Sequence, residues 1–241
     1  MNAPAPQRRF EISPLFWLWL PPLMIVLVYA VRLWKIWFYQ YFIESELGIV
    51  ELGTPMLLLP GLWAGIQIWR HRRALPRAWL AAWLALVSVG GFYFAGEEIS
   101  WGQQLFGWST PVEISAINDQ HETNFHNISS WFDQKPRLAL ELWVIVGGLL
   151  LPAWRALRGI RFGPDDWQYW FWPGIVCVPA AALAEAIKLP EYVKDLFGLP
   201  PFSIEVRYSE IQEFYFALFL GLYLLSCWLR LRPRARAAGP G

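Results

Sequence analysis

Six stretches of the chain, 14–34, 49–69, 79–99, 138–157, 167–189 and 209–231, are predominantly apolar, and polar residues gather between them. A bilayer-crossing helix needs about 20 such residues, so the pattern predicts an all-α fold, a polytopic membrane helix bundle of about six transmembrane helices. Residues 1–232 read as one helical membrane domain, and 233–241, rich in Arg, Ala, Pro and Gly, as a disordered basic tail. Pro21, Pro22, Pro60, Pro173 and Pro179 fall inside apolar stretches. They predict kinks without breaks, because neighbouring helices can satisfy the freed carbonyls. The pairs Gly90-Gly91 and Gly147-Gly148 offer close helix approach.

Arginine placement orients the bundle. With six spans, Arg8 and Arg9, the cluster Arg70, Arg72, Arg73 and Arg77, then Arg155, Arg158 and Arg161, and finally Arg230, Arg232, Arg234 and Arg236 all fall on one side. The positive-inside rule makes that side cytoplasmic, with both termini in it. The opposite, outer face receives residues 44–48, 102–137 and 190–208. Arg8-Arg9 before an apolar run imitates a secretory signal, but the run continues into Trp34-Lys35-Ile36-Trp37, an interface belt, and reads as an uncleaved first span. No internal repeat is visible, so an inverted-repeat transporter has no support in the sequence.

Composition agrees: 56% of residues are apolar, 17% aromatic and only 16% charged, against about 25% charged in a soluble domain. A net charge of +1 argues against a nucleic-acid partner, which requires a surplus of clustered cations. Membrane lipids are the expected partners. Cys177 and Cys227 lie in apolar stretches without metal or redox spacing and read as small buried hydrophobes.

Chemistry concentrates where the third span ends, in Gly96-Glu-Glu-Ile-Ser-Trp-Gly-Gln-Gln104. A carboxylate at the edge of hydrocarbon must be paired, protonated, metal-bound or exposed to water, so Glu97 and Glu98 are candidate site residues. They stand about 100° apart on a helix, so one pocket receives both only if the helix unwinds, which Gly96 and Gly102 permit. The region 102–137 forms a polar outer-face loop, in which Thr110-Pro111-Val112-Glu113 has the pattern of a helix start and predicts a short amphipathic helix.

That helix leads into Asn118-Asp-Gln-His-Glu-Thr-Asn-Phe-His-Asn127. His121 and His126 are five apart, about 140° around a helix, which excludes the helical zinc-protease arrangement. Glu122 and His126, four apart, share a face, and the carboxylate can orient the imidazole or join it on one ion. Histidine with carboxylate suits a divalent metal, zinc, manganese or iron. Candidate metal ligands are Glu98, His121 and His126; a solvated loop without special chemistry is the bland alternative. His71, inside the arginine cluster, reads as a cytoplasmic surface residue.

Further outer-face charges lie at a similar depth. Glu51 starts the second span, Glu185 and Lys188 can pair near the end of the fifth, and Ser209 with Gln212 has capping-box spacing at the start of the sixth. Glu210 then reads as decoration favoured by the helix dipole, while Glu213 goes deeper and Arg207 can hold an anionic group or clamp a carboxylate.

Glu46-Leu-Gly-Ile-Val-Glu51, the Gly96 to Gln103 run with Phe106-Gly107, and Glu122-Thr-Asn-Phe-His-Asn127 together resemble the signature of a group of bacterial polytopic membrane proteins. That resemblance implies no established activity, so no catalytic role transfers. The residues themselves lead to an integral inner-membrane protein, its outer-face site directed to the periplasm or cell exterior. The site suits a metal-dependent or acid–base enzyme, a hydrolase or transferase, acting on a lipid or lipid-linked substrate. Candidate catalytic residues are Glu97, Glu98, Glu122 and His126, and candidate substrate-binding residues are Gln104, Asn124, Arg207, Glu213 and Glu51. A proton- or cation-coupled transporter and a non-catalytic subunit of a membrane complex are the alternatives.

Overall fold

In the computed structural model the last helix is the centre of the molecule. The structure describes residues 10–43, 45, 48–112, 123, 130–202 and 204–237, with side chains for all of these except 104 and 130–133. Among the described residues, six helical spans are long and apolar enough to cross a membrane: Leu15–Trp34, Ile49–Arg70, Ala78–Glu98, Gln134–Arg158, Trp167–Phe197 and Tyr208–Ala237. No strand occurs among the described residues. The chain is a multi-pass helical membrane protein, and four of the six expected spans begin and end within about four residues of the observed ones.

The regular helices are α1 (Leu20–Trp34), α2 (Ile36–Phe42), α3 (Ile49–Arg70), α4 (Ala78–Glu98), α5 (Gln103–Phe106), α6 (Ser130–Trp143), α7 (Leu151–Arg158), α8 (Trp167–Phe171), α9 (Val178–Phe197) and α10 (Tyr208–Ala237). Of the apolar window of α10, 83% is buried inside the protein, against 17% for the first span, so α10 is the hub and the first span is exposed on most of its surface. Close approach makes that centre possible. A Cβ on Gly61 of α3 would stand 2.7 Å from the Gly221 Cα of α10, and one on Gly221 would stand 2.4 Å from the Leu57 carbonyl oxygen. Two backbones therefore touch at a crossing that only small residues allow.

Gly148 gives the same kind of contact, since its added Cβ would lie 2.7 Å from that of Ala181 and 2.8 Å from the Phe219 ring. Gly90 does not: nothing lies within 4 Å of a Cβ placed there, and it faces away from its neighbours.

The expectation of kinks without breaks fails at Pro173. Trp172 is extended (φ −85°, ψ 142°), and the helix resumes only after Gly174. The residue before a proline is driven out of the helical region, and here the adjoining glycine lets the break persist. Freed carbonyls in a bilayer need donors. The Tyr223 hydroxyl donates to the carbonyls of Trp170 and Phe171 (2.8 and 3.0 Å), and Arg230 Nη1 donates to that of Tyr169 (2.6 Å). Trp83 Nε1 in turn donates to the Tyr223 oxygen at 3.0 Å, so one buried hydroxyl ties three spans together.

Spans five and six outrun their apolar patterns. α9 continues through Pro190 to Phe197 and ends at Gly198 in the left-handed conformation (φ 61°). α10 continues through Pro233 to Ala237, five residues past the 232 boundary of the expected membrane domain. Ion pairs outside the apolar core hold these extensions, Lys194 with Glu205 (3.2 Å) and Arg234 with Asp165. Cys177 and Cys227 are buried free thiols, as their surroundings in the sequence predict. His71 differs from its expected surface position: it is half-buried, its ring 5.2 Å from that of Trp228.

Contacts between distant residues define two chemically different ends. At one, Glu11, Tyr169, Asp165, Arg230 and Arg234 meet. At the other, Glu51, Arg137, Lys188, Arg207 and Glu213 meet, together with Arg32, which donates to the Glu205 carbonyl at 3.0 Å.

Candidate functional site at the carboxylate-rich end

α4 ends on Glu98, and the chain then turns the wrong way. Ser100 (φ 45°) and Trp101 (φ 55°) are the only described non-glycine residues with positive φ, and Gly102 (φ 92°) follows. Two L-residues in the left-handed region cost of order 1–3 kcal/mol each and need surroundings that fix them. Trp101 supplies the fixing. Its Nε1 donates to Glu97 Oε1 at 2.7 Å, and its six-membered ring lies against Gly96, where a Cβ would stand 2.8 Å from the ring. Phe92 and Tyr93 meet the same indole edge-on, with centroids 6.0 and 6.1 Å away.

The two adjacent carboxylates therefore have different surroundings. Glu97 is buried, at 4% exposure, and is engaged by Trp101. Glu98 is partly buried and lies within electrostatic range of Glu213, Glu51, Arg137 and Glu97. Glu98 of span three thus has acidic neighbours from spans two and six and one guanidinium, which pairs with Glu213.

That guanidinium belongs to Arg137, which the sequence reading passed over as a loop boundary. Its Nη1 donates to Glu213 Oε1 at 2.6 Å, and its Nη2 to Gln212 Oε1 at 2.8 Å and the Ser209 carbonyl at 3.4 Å. Position was the available signal, an arginine at a membrane edge on the end that the positive-inside count leaves poor in arginine. The capping box expected at Ser209 and Gln212 does not form: the helix already begins at Tyr208, and both side chains serve other groups, Lys188 Nζ donating to Ser209 Oγ at 2.9 Å while Gln212 accepts from Arg137.

Arg207 acts as a carboxylate clamp, 3.7 Å from Glu51 and in an ion pair with Glu210. Glu210 is accordingly more than decoration on the helix dipole. The Arg207 backbone N–H donates to the Tyr39 hydroxyl at 3.3 Å, which links this clamp to α2. The expected Glu185–Lys188 pair is replaced, since buried Lys188 donates to Glu191 at 2.8 Å. Glu185 Oε1 is buried without a hydrogen-bond partner among the described residues, near Glu141, whose own Oε1 accepts from the Tyr192 hydroxyl at 2.7 Å.

Gln103, one residue before the candidate Gln104, joins the two margins of the polar loop. Its Oε1 accepts from Thr110 Oγ1 at 3.1 Å and from the Thr123 backbone N–H at 2.6 Å. Residues 113–122 and 124–129, and with them the expected amphipathic helix, His121, Glu122, Asn124 and His126, lie outside the described residues, as does the Gln104 side chain. Among the described residues, no three His, Cys, Asp or Glu side chains converge on a metal-sized site. Of the candidates, the structure brings Glu51, Glu98, Glu213 and Arg207 to one end, with Glu97 directed into the Trp101 contact.

No family model matches the chain, and neither does any curated protein or solved structure. The site is therefore read from its own geometry.

Proposed function

We propose that the carboxylate-rich end is the acid–base site of a membrane-embedded hydrolase or transferase acting on a lipid or lipid-linked substrate. The observation that carries this reading is the position of Glu98, beside Arg137, Glu51 and Glu213 at the end of a membrane span, after which the backbone is held in a strained turn. A carboxylate among two others and one guanidinium can exchange a proton at modest cost, which general acid–base catalysis requires. Arg137 and Arg207 supply fixed positive charge for an anionic substrate group or for charge that develops in the transition state. Glu97 positions the turn through Trp101.

The loop residues Glu122 and His126 complete the acid–base set in this proposal, and Gln104 and Asn124 contribute substrate contacts. A divalent metal enters it only through Glu98 with His121 and His126. Stoichiometric zinc, manganese or iron in the purified protein, lost in His121→Ala and His126→Ala, would support that part; a metal-free native protein would leave the carboxylate and imidazole alone. The distribution of arginines supports a bacterial inner-membrane location with this site facing the periplasm or cell exterior.

Reconstitution of the purified protein with a total lipid extract from its own cells, followed by mass spectrometry of the lipids, tests the enzymatic reading. A product formed by the native protein and absent with Glu98→Gln supports it. An unchanged lipid profile with folded native protein overturns it. Proton- or cation-coupled transport is the second reading, favoured by the buried Glu185 oxygen near Glu141, which has no hydrogen-bond partner among the described residues. Flux into sealed proteoliposomes that Glu185→Gln abolishes would select it.

A further inference from the structure

The opposite end of the bundle holds a cavity of about 390 Å³, lined by the end of span four, the start of span five, α10 and Glu11. Three arginines, Arg155, Arg161 and Arg230, share this lining with a single carboxylate, Glu11. Arg230 is satisfied: it lies 3.8 Å from Glu11 Oε1, donates to the Tyr169 carbonyl at 2.6 Å, and stacks over the Tyr169 ring at 4.5 Å. Arg155 is not. Its Nε reaches the Ile160 carbonyl at 3.5 Å and its guanidinium lies 4.3 Å from the Phe162 centroid, but neither Nη has an acceptor among the described residues. Arg155 and Arg230 are also close enough to repel one another.

Arg161 is exposed and has no acceptor among the described residues. Elsewhere at this end arginines do find partners, as Arg234 does with Asp165 and the Pro164 carbonyl. The cavity therefore keeps a positive excess and several guanidinium N–H groups with no acceptor among the described residues. Such donors match a tetrahedral oxyanion, which accepts forked N–H pairs.

The remaining walls identify its carrier. Pro152, Ala156, Trp172, Pro173 and Ile175 are apolar, and Ile175 is 59% exposed on the flank of a membrane span. The cavity lies between the end of span four and the start of span five, the part of a spanning helix pair that meets lipid head groups. Basic pockets between transmembrane helices suit anionic head groups at this depth, and the volume holds a phosphate with part of its glycerol.

We infer that Arg155, Arg161 and Arg230 form a binding site for the phosphate of an anionic membrane phospholipid, distinct from the carboxylate-rich end and independent of its chemistry. The phosphodiester accepts from Arg155 and Arg161, while Arg230, already held by Glu11, contributes charge. The acyl chains leave along Ile175.

Native mass spectrometry of the full-length protein in neutral detergent tests the site. The ligands are phosphatidylglycerol, phosphatidylcholine with the same acyl chains, and inorganic phosphate. We expect saturable 1:1 binding of phosphatidylglycerol over phosphatidylcholine, weakened about tenfold in the double variant Arg155→Gln/Arg161→Gln. The matched variant Arg72→Gln/Arg73→Gln, which removes two charges elsewhere on the same end, should change binding less than about twofold. Equal weakening by both variants would reduce the effect to diffuse charge and overturn the site, as would equal binding of the two lipids. Inorganic phosphate binding as tightly as phosphatidylglycerol would exclude the lipid as occupant in favour of a soluble phosphate compound. Thermal unfolding of each variant establishes that it is folded. If the double variant does not fold, exposed Arg161→Gln alone carries the test, with a loss of about threefold expected and an unchanged affinity overturning the site.

Discussion

Trp101 reaches back four residues to donate its indole N–H to Glu97 at 2.7 Å, and in doing so lays its ring on Gly96. One side chain thereby fixes the left-handed turn Ser100–Gly102 and occupies one of two adjacent carboxylates. The contact makes a steric demand. A methyl at Gly96 would stand 2.8 Å from the ring, so Gly96→Ala must displace the indole, at a cost of about 1–3 kcal/mol. Gly90→Ala, in the same helix with nothing within 4 Å, should instead be neutral or stabilising by up to about 1 kcal/mol through helix propensity. Thermal unfolding in detergent compares the two; equal effects would contradict the contact.

Arg137 links span four to span six through Glu213, Gln212 and the Ser209 carbonyl. Both partners of the ion pair are about one-fifth exposed, at 23% and 21%, so solvent screens it only in part. Arg137→Gln should destabilise by about 1–3 kcal/mol, because Glu213 and Gln212 lose a charge-assisted donor. Glu213→Gln in the Arg137→Gln background should cost less than it does alone, with a coupling of about 0.5–3 kcal/mol in a double-mutant cycle. Additive effects would mean that the two side chains do not act as a pair.

At the break in span five, the Tyr223 hydroxyl is the donor for two carbonyls that the bilayer cannot solvate. Tyr223→Phe preserves the ring and its T-shaped contact with Trp143, centroids 5.0 Å apart, and removes that donor together with the acceptor of the Trp83 indole N–H. We expect a loss of about 1–3 kcal/mol by thermal unfolding. Cys227→Ala, which removes two weak sulfur contacts, one at 3.6 Å to the Trp170 carbonyl and one at 3.3 Å from Arg230 Nη2, should cost less.

Hydropathy made the spans legible because each must supply about 20 apolar residues whatever its tertiary partners. It could not rank them. That α10 is the hub depends on where Gly61 meets Gly221, a pairing between residues far apart in sequence that no local pattern contains. Pro173 was visible, but whether it kinks or breaks the helix depended on Tyr223 and Arg230 supplying the missing donors from another span. At the carboxylate-rich end the acidic residues stood out as costly in hydrocarbon. Arg137 did not, because an arginine near a loop looks ordinary until Glu213 and Gln212 are brought beside it. Ser209 and Gln212 failed in the opposite way: their spacing satisfied a local rule that the stronger charged donors Lys188 and Arg137 overrode.

Membrane sidedness is separately testable, because both native cysteines are buried and leave a quiet background. A cysteine placed by Phe202→Cys, at a position 41% exposed, should react with a membrane-impermeant maleimide in intact cells. One placed by Arg73→Cys, exposed at the arginine-rich end, should react only after permeabilisation. The reverse pattern would invert the orientation derived from the arginines.

Glu97 and Glu98 are neighbours with opposite expected sensitivities. Glu97→Gln weakens the charge-assisted bond from Trp101 to a buried acceptor, so it should lower stability by about 1–2 kcal/mol and loosen the turn that follows. Glu98→Gln removes a carboxylate that faces Glu51 and Glu213 as well as Arg137, relieving repulsion from the two acids, so stability should hold or rise slightly. If Glu98 is the proton-transfer group, its loss should abolish lipid turnover in the reconstituted protein while thermal unfolding is unchanged, a reduction of about 10²-fold or more. A Glu98→Gln protein that is both folded and fully active would remove the acid–base role from this carboxylate. If Glu97→Gln were then the inactive and fully stable variant, the roles of the two would be exchanged.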